Sequence, residues 1–334
     1  MGEMRLTSGT WSTRLVALVL VSTGATAGCG VTRGDDSRDL LMIIPNSPGG
    51  GYDQTGRAAV QVMEDADITG GSFTVDNVVG AGGAGATTAL VGRAGDEHTM
   101  MTAGLGVVGS TYSFASEYRL QDATPLAQLM SEPEGVLVPG DSPFRTIDDL
   151  VTAWEADPGS IAVGGGSSPG GPDHLFPMQL AAEVGIDAGD VNYVTYDGGG
   201  PLTSALLGEK IDVGFSGLAE FTGQVESGEL RVLAVSGEER YPDGAFADIP
   251  TLTESGIDLV FLNWRGMLAT PEISAERTEE LIGYLEEMHE SPGWQAVLDE
   301  YGWTDDFKTG DEFTTFLDEQ DARVSGTLEE LGLL

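Results

Sequence analysis

The chain is poor in cysteine, histidine and basic residues, and each shortage narrows what it can do. Cys29 is the only cysteine, so no disulfide can form within the chain. The three histidines, His98, His174 and His289, lie far apart and show no metal-ligand spacing, so no metal or cofactor is expected. Lys and Arg number 15 against 54 Asp and Glu, a formal net charge of -39. That balance excludes nucleic-acid binding, which needs a basic footprint. The acidic residues are scattered, as on a solvated surface suited to a salty medium. No Gly-x-Ser-x-Gly elbow of the hydrolase type occurs. No segment is long and apolar enough to span a membrane.

The longest apolar run near the start, Leu15 to Val21, is short and follows Arg5 and Arg14. It reads as an export signal over residues 1–28. Cys29 follows Ala27-Gly28 and resembles the lipidated cysteine of a bacterial lipobox, although Thr26 stands where an aliphatic residue is usual. The alternative is a plain signal peptide with an incidental cysteine. Residues 29–38 then read as a polar tether.

What the chain has in abundance is glycine, 49 residues, placed where apolar runs end. Leu40–Ile44 is a continuous apolar run, as in a strand buried on both faces. It leads into Pro45-Asn46-Ser47-Pro48-Gly49-Gly50-Gly51-Tyr52-Asp53, and a helical pattern follows over Arg57–Ala66. A strand running through glycines into a helix presents free N–H groups to an anion, though glycine there also simply relieves backbone strain. The arrangement recurs. Ser72–Val79 leads to Gly80-Ala81-Gly82-Gly83-Ala84-Gly85 and an Ala-rich helix over Ala86–Arg93, and His98–Ala103 is a third strand. A second unit starts with a short strand, Gly135–Pro139, and a helix over Ile147–Ala156 capped by Thr146. Strand Ile161–Val163 runs into Gly164 to Pro172, ahead of helix Asp173–Val184. Strand Val191–Tyr196 runs into Asp197-Gly198-Gly199-Gly200, ahead of helix Pro201–Leu207. Strand Ile211–Phe215, helix Leu218–Val225 and strand Leu230–Val235 continue the alternation, which implies parallel sheet with ligands at the strands' carboxyl ends. Ile257–Leu268 is extended, and helices over Ala275–Glu290, Trp294–Tyr301 and Glu312–Leu331 end the chain.

These segments together resemble the solute receptors of the tripartite tricarboxylate transporter system, the TctC or Bug-type extracytoplasmic binding proteins. The resemblance rests on Pro48-Gly49-Gly50 with Asp53 and Arg57, and on Asp76-Asn77 with Gly80 to Gly83. It continues through Ser167-Ser168-Pro169-Gly170-Gly171 with His174-Leu175, Tyr193 to Gly199, Gly208 to Phe215 and Gly228 to Val235. Ile249 to Gly256 and Trp264-Arg265-Gly266 complete it. Asp197 stands where the family often has arginine, and Glu97-His98 where it usually has Gly-Tyr.

The resemblance implies an α/β type II periplasmic-binding-protein fold with the ligand between two α/β lobes. Lobe 1 would be residues 39–131 plus 257–334, and lobe 2 residues 132–256. It implies capture of a small organic anion, a di- or tricarboxylate such as citrate. Delivery would be to a permease of a large and a small integral membrane subunit. The receptor would be a monomer, extracytoplasmic, and anchored through Cys29 to the outer face of the cell membrane. The ligand contacts would be Pro48, Gly49, Gly50 and Gly51; Gly80, Ala81, Gly82 and Gly83; Ser167, Ser168, and the N–H groups of Gly170 and Gly171; and Asp197 and Gly198.

Asp53 reads as a cap or loop brace, since its charge would repel a carboxylate, and His174 as a second brace. Ser167 and Ser168 are alternatively helix caps, and Asp197 alternatively a loop brace. Arg265 is either a surface-paired residue beside a packed Trp264 or a ligand contact. Two other functions stay open: an exported hydrolase using Ser167 or Ser168 with His174 as base, and a cell-surface binding protein without transport.

Overall fold

The structure, a computed structural model, describes residues 38–196, 198–242 and 244–334. The expected export signal, Cys29 and all of the tether but Arg38 lie outside the described residues, as does Asp197. The first strand, β1 (Leu40–Ile44), is apolar and buried, and α1 (Gly51–Asp65) follows it. Next come β2 (Phe73–Asn77), α2 (Ala84–Val91), β3 (Thr99–Gly104) and α3 (Leu105–Ser113). The long β4 (Thr124–Pro139) leads to α4 (Ile147–Ala156), β5 (Ala162–Gly165), α5 (Pro172–Glu183) and β6 (Asn192–Thr195). After α6 (Gly199–Leu207) come β7 (Val213–Gly217), α7 (Thr222–Glu226) and β8 (Leu230–Val235). The chain ends with β9 (Leu262–Ala269), α8 (Ala275–Glu290), α9 (Pro292–Tyr301), β10 (Thr304–Thr309) and α10 (Gly310–Glu330).

The strands form one connected sheet in the order β2-β1-β3-β9-β4-β7-β5-β6, with β8 and β10 also on β4. The expectation of parallel pairing holds for β1 with β2 and β3, and for β5 with β6 and β7. It fails around β4 and β9, whose pairings are all antiparallel. The reason is β4 itself. Only its last residues, Gly135–Pro139, read as strand in the sequence, because Pro125, Pro133, Glu132 and Glu134 interrupt the apolar pattern. The strand keeps Pro125 beside a register shift, where a missing N–H costs no ladder bond. Its first part pairs with β9 and β10 and its last part with β7 and β8, so β4 runs through both groups of strands.

Three elements depart further from the sequence pattern. Helix α1 begins at Gly51, six residues before the expected Arg57, although its first turn has no apolar periodicity. Asp53 holds that turn by accepting from the Gly49 N–H at 2.8 Å, and the Thr55 hydroxyl donates to the Gly51 carbonyl at 3.0 Å. Helix α3 has no counterpart in the sequence pattern, which shows only the strand over His98–Ala103 before it. Strand β10 is polar throughout, Thr-Asp-Asp-Phe-Lys-Thr, and so carried no strand signal. Where a cap was legible it formed: Thr146 accepts from the Asp149 N–H while the Asp149 carboxylate accepts from the Thr146 N–H.

The core packs against this sheet. Trp264 on β9 meets Phe313 and Phe316 of α10 edge-on, at 6.0 and 5.3 Å between ring centroids. Phe176 of α5 lies between Phe215 and Phe261. Close approach of backbones fixes how the glycine loops meet. A Cβ added at Gly109 in α3 would fall 1.7 Å from the Gly170 carbonyl oxygen, and one at Gly106 would fall 3.3 Å from Pro172.

Gly109→Ala is therefore expected to destabilise by about 2 kcal/mol, since its neighbour is backbone and cannot rotate away. Gly283→Ala, inside α8 with open space around it, is expected to stabilise by about 0.5 kcal/mol. Thermal denaturation of the two variants checks the contrast.

Candidate functional site

The ends of β1, β2, β5, β6 and β7 and the loops after them converge on a cavity of about 590 Å³. Of the residues singled out in the sequence, Gly50, Gly51, Gly80, Ala81, Gly82, Ser167, Ser168, Gly171 and Gly198 line it. Pro48, Gly49, Gly83 and Gly170 do not: the first two are exposed to solvent, and the other two are buried. The loops meet here: a Cβ at Gly82 would come within 3.2 Å of the Ser168 hydroxyl.

Left-handed backbone runs through the loop after β2, with φ of 142° at Gly80, 48° at Ala81, 60° at Gly82 and 106° at Gly83. Ala81 has a Cβ in that region, which costs about 1 kcal/mol, and it sits on the cavity wall.

Several N–H groups expected to face a ligand are spent inside the loops. Gly49 donates to Asp53, Gly170 to His174 Nδ1 at 3.1 Å, and Gly171 to the Ser168 carbonyl at 2.8 Å. Gly50, Gly83 and Gly198 donate to the carbonyls of Ser47, Gly80 and Gly166. The N–H groups of Gly51 and Tyr52 open α1 and have no partner within the helix, so they remain available to the cavity.

Asp53 is buried outside the cavity wall. Its carboxylate also accepts from Arg57 Nε at 2.8 Å and from Asn77 Nδ2 at 2.9 Å. Desolvation opposes its charge, but Asn77, the Gly49 N–H and Arg57 together hold its pKa below the ordinary value. Ser167 accepts from the Asp173 N–H at 3.1 Å through its hydroxyl. His174 is buried, packs against Tyr193 with the rings tilted by 57° and their centroids 4.7 Å apart, and its pKa is lowered by desolvation to about 4, so the ring is neutral. Among the described residues no hydrogen bond links His174 to Ser167 or Ser168.

The sequence reading missed the charged side of the cavity. Glu132, Asp173, Glu220, Ser216, Asn263 and Arg265 all line it. Arg265 is not surface-paired: it is 7% exposed and its Nη2 is hydrogen-bonded to the equally buried Glu132. Asn263 Nδ2 donates to the same carboxylate oxygen at 3.1 Å. The guanidinium also lies 5.9 Å from the Tyr52 ring centroid and 5.7 Å from that of Trp303. Glu134, two residues along β4 from Glu132, is fully buried. Desolvation, Asp173 and Glu132 all raise its pKa well above the usual value. The only signal of this cluster in the sequence was Arg265 beside Trp264. The acids look like any others in so acidic a chain.

Asp173 titrates in a useful range. Burial raises it from 3.8 to about 6, against hydrogen bonds from Ser216 and from the Gly166 N–H at 2.8 Å. The unfolded chain would ionise near 3.8. The stability associated with the protonated form is thus complete below about pH 4 and is lost as pH rises through about 6. The difference is worth roughly 3 kcal/mol. His174 acts in the opposite sense, its contribution being lost as pH falls from 6.5 towards 4. Asp173→Asn is expected to gain stability relative to the wild type at pH 7 and to lose that advantage by pH 4. Melting curves of the two proteins over that range test it, and because His174 is common to both its effect cancels.

Comparison with known proteins follows the same lines as the geometry. The family profile described as the tripartite tricarboxylate transporter family receptor matches residues 58–333. Protein BugT of Bordetella pertussis is 25% identical over 328 residues, covering 96% of this chain and 98% of BugT. MatC from Rhodopseudomonas palustris, solved with bound malate, superposes with a TM-score of 0.72 at 20% identity, over 87% of this chain and 99% of MatC. Another R. palustris protein, solved with adipate, superposes with a TM-score of 0.76 at 20% identity, over 88% of this chain and 97% of its own. The fold is that of the periplasmic binding proteins, and the chain belongs to the tripartite tricarboxylate transporter family of solute-binding receptors.

Proposed function

We propose that this receptor captures a small organic acid in the 590 Å³ cavity and hands it to a tripartite tricarboxylate transporter permease. The observation that carries the reading is that glycine- and serine-rich loops from both halves of the sequence wall a single cavity. Backbone N–H groups at the start of α1, with the hydroxyl of Ser168, suit a carboxylate, which needs several donors at short range. The malate and adipate held by the two R. palustris neighbours are of that class. The two lobes of the reading are residues 39–131 with 257–334, and residues 132–256, with β4 and β9 as the crossing strands. A ligand touching both lobes favours the closed form, and the permease subunits would read that form. The location is extracytoplasmic, as for the family, with Cys29 as a lipid anchor. No helix among the described residues is long and apolar enough to cross a membrane.

A panel of mono-, di- and tricarboxylates in a thermal-shift assay tests this. A true ligand at a hundred times its Kd adds about 2.7 kcal/mol of stability. Ser168→Ala, which removes a cavity hydroxyl and leaves the loop's backbone bonds in place, is expected to weaken binding by about 1 kcal/mol, near fivefold. If no organic acid raises the melting temperature, while an ester is turned over and Ser167→Ala abolishes that turnover, the hydrolase reading replaces this one.

A further inference from the structure

Glu134 stands where β4 passes from one group of strands to the other. Pro133 is the last β4 residue paired with β9, and Glu134 the first paired with β7. Ser236 ties its backbone on both sides: the Glu134 N–H donates to the Ser236 hydroxyl at 2.8 Å, and the Glu134 carbonyl accepts from the Ser236 N–H at 2.9 Å. The side chain has no such support. It is 0% exposed, and neither carboxyl oxygen makes a hydrogen bond. An ionised carboxylate so placed is heavily penalised, so Glu134 keeps its proton at neutral pH. Asp173, at the start of α5, is the charge that acts on it most strongly. Two carboxyl groups coupled in this way hold their protons as a pair.

The surroundings of the pair are short of positive charge. The groups that face it are Glu132 on β4, Tyr193 on β6, Glu220 after β7, Tyr241 after β8 and Arg265 on β9. His174, the next residue of α5, is neutral and packs against Tyr193. The two tyrosines are neutral as well, since burial raises both. Arg265 is the one Lys or Arg side chain on the cavity wall among the described residues, and it is paired with Glu132. The donors that support a charge on Asp173, the Gly166 N–H and Ser216, carry no charge themselves.

We propose that anion capture by this receptor is proton-linked: as an ionised organic acid enters the cavity, the Glu134–Asp173 pair takes up one proton from solvent. The inference rests on the cavity being the receptor's ligand site. In the free protein near neutral pH the pair holds one proton, on Glu134, and Asp173 is ionised on the cavity wall. Arg265 cannot balance the charge of a ligand without giving up Glu132. A carboxylate arriving in so poorly screened a place therefore repels Asp173, and protonation of Asp173 removes that repulsion. The proton comes from the buffer, the Asp173 carboxylate becomes a carboxyl, and the wall loses one negative charge. The sign follows from the free protein, where Asp173 gives up its proton near pH 6. A bound anion raises that value, so affinity is greatest below about pH 6 and falls as pH rises through the raised value.

The test is titration calorimetry in phosphate, HEPES and Tris, whose different ionisation enthalpies reveal the protons taken up on binding. The probe is whichever of succinate, malate, glutarate and adipate binds most tightly, all of them ionised at pH 7 and so unable to account for the uptake themselves. The wild type is expected to take up about half a proton or more per ligand at pH 7, and to bind about fivefold more weakly at pH 8 than at pH 6.5. Glu134→Gln with Asp173→Asn keeps both side-chain shapes and an acceptor for the Gly166 N–H. This double variant is expected to show no uptake and an affinity that does not change over that range. Asp173→Asn alone, whose folding is checked by its melting curve, is expected to lose most of the uptake. Binding heats of the wild type that are independent of buffer overturn the inference while leaving the carboxylate receptor standing. So does uptake that persists undiminished in the variants, which would place the proton on another group such as Glu220. If none of the four acids binds, this inference and the receptor reading fall together.

Discussion

The ion pair between Arg265 and Glu132 is where the parts of this molecule depend on one another. Glu132 lies on β4 and Arg265 on β9, the two strands that pair through the centre of the sheet. Arg265 lies against Gly51, where an added Cβ would come within 2.8 Å of the guanidinium carbon, and it faces Tyr52 and Trp303. One guanidinium thus sets the distance between the start of α1, the central strands and the segment before β10. Taking either partner away strands a charge in a buried place, at a cost of about 3–5 kcal/mol. Glycine at position 51 follows from the same contact. It is needed less for its backbone freedom than for the space the arginine occupies.

From that pair the chemistry of the cavity follows in order. Once Arg265 is committed to Glu132, it offers little charge to an incoming anion. Recognition of a carboxylate then falls to backbone N–H groups, and many of the glycine N–H groups are already bonded within their own loops. Gly49, Gly170 and Gly171 shape the loops and hold them rigid, and the donors left for a ligand are those at helix starts. Asp53 and His174 sit at the centre of those internal bonds, each taking a glycine N–H, so that two buried polar side chains define the curvature of loops that carry few side chains themselves.

Much of this was legible in the sequence, for reasons that differ by element. The glycine loops were visible because positive φ at Gly49, Gly80 and Gly170 admits few other residues. The helix over Ala275–Glu290 and the strand over Leu230–Val235 appeared at their observed bounds, since periodicity and apolar runs state them directly. Strand β10 was invisible because its neighbours on β4, rather than its own composition, make it a strand. The acids of the cavity were invisible for a different reason. With 54 carboxylates in the chain, nothing in the spacing of Glu132, Asp173 and Glu220 separates a buried acid from a solvated one. Only the fold brings residues from β4, α5 and the segment after β7 to one wall. Arg265 stood between two readings because sequence shows a charge but not its burial.

A division of labour between backbone and side chain explains why the site looks generic in one part and particular in another. Backbone donors presented by glycine turns treat any carboxylate alike, because they touch only the group that all such ligands share. Discrimination has to come from side chains whose polarity fits one ligand and penalises the rest. In this cavity those side chains are acceptors. Asn263 Oδ1 has no hydrogen-bond partner, and Asp173 holds its proton up to about pH 6 and above that carries a charge its buried surroundings oppose. Each state is costly, and each is relieved by a donor. Groups left in so unfavourable a state weigh against every ligand that cannot supply one, which makes them a filter rather than a grip.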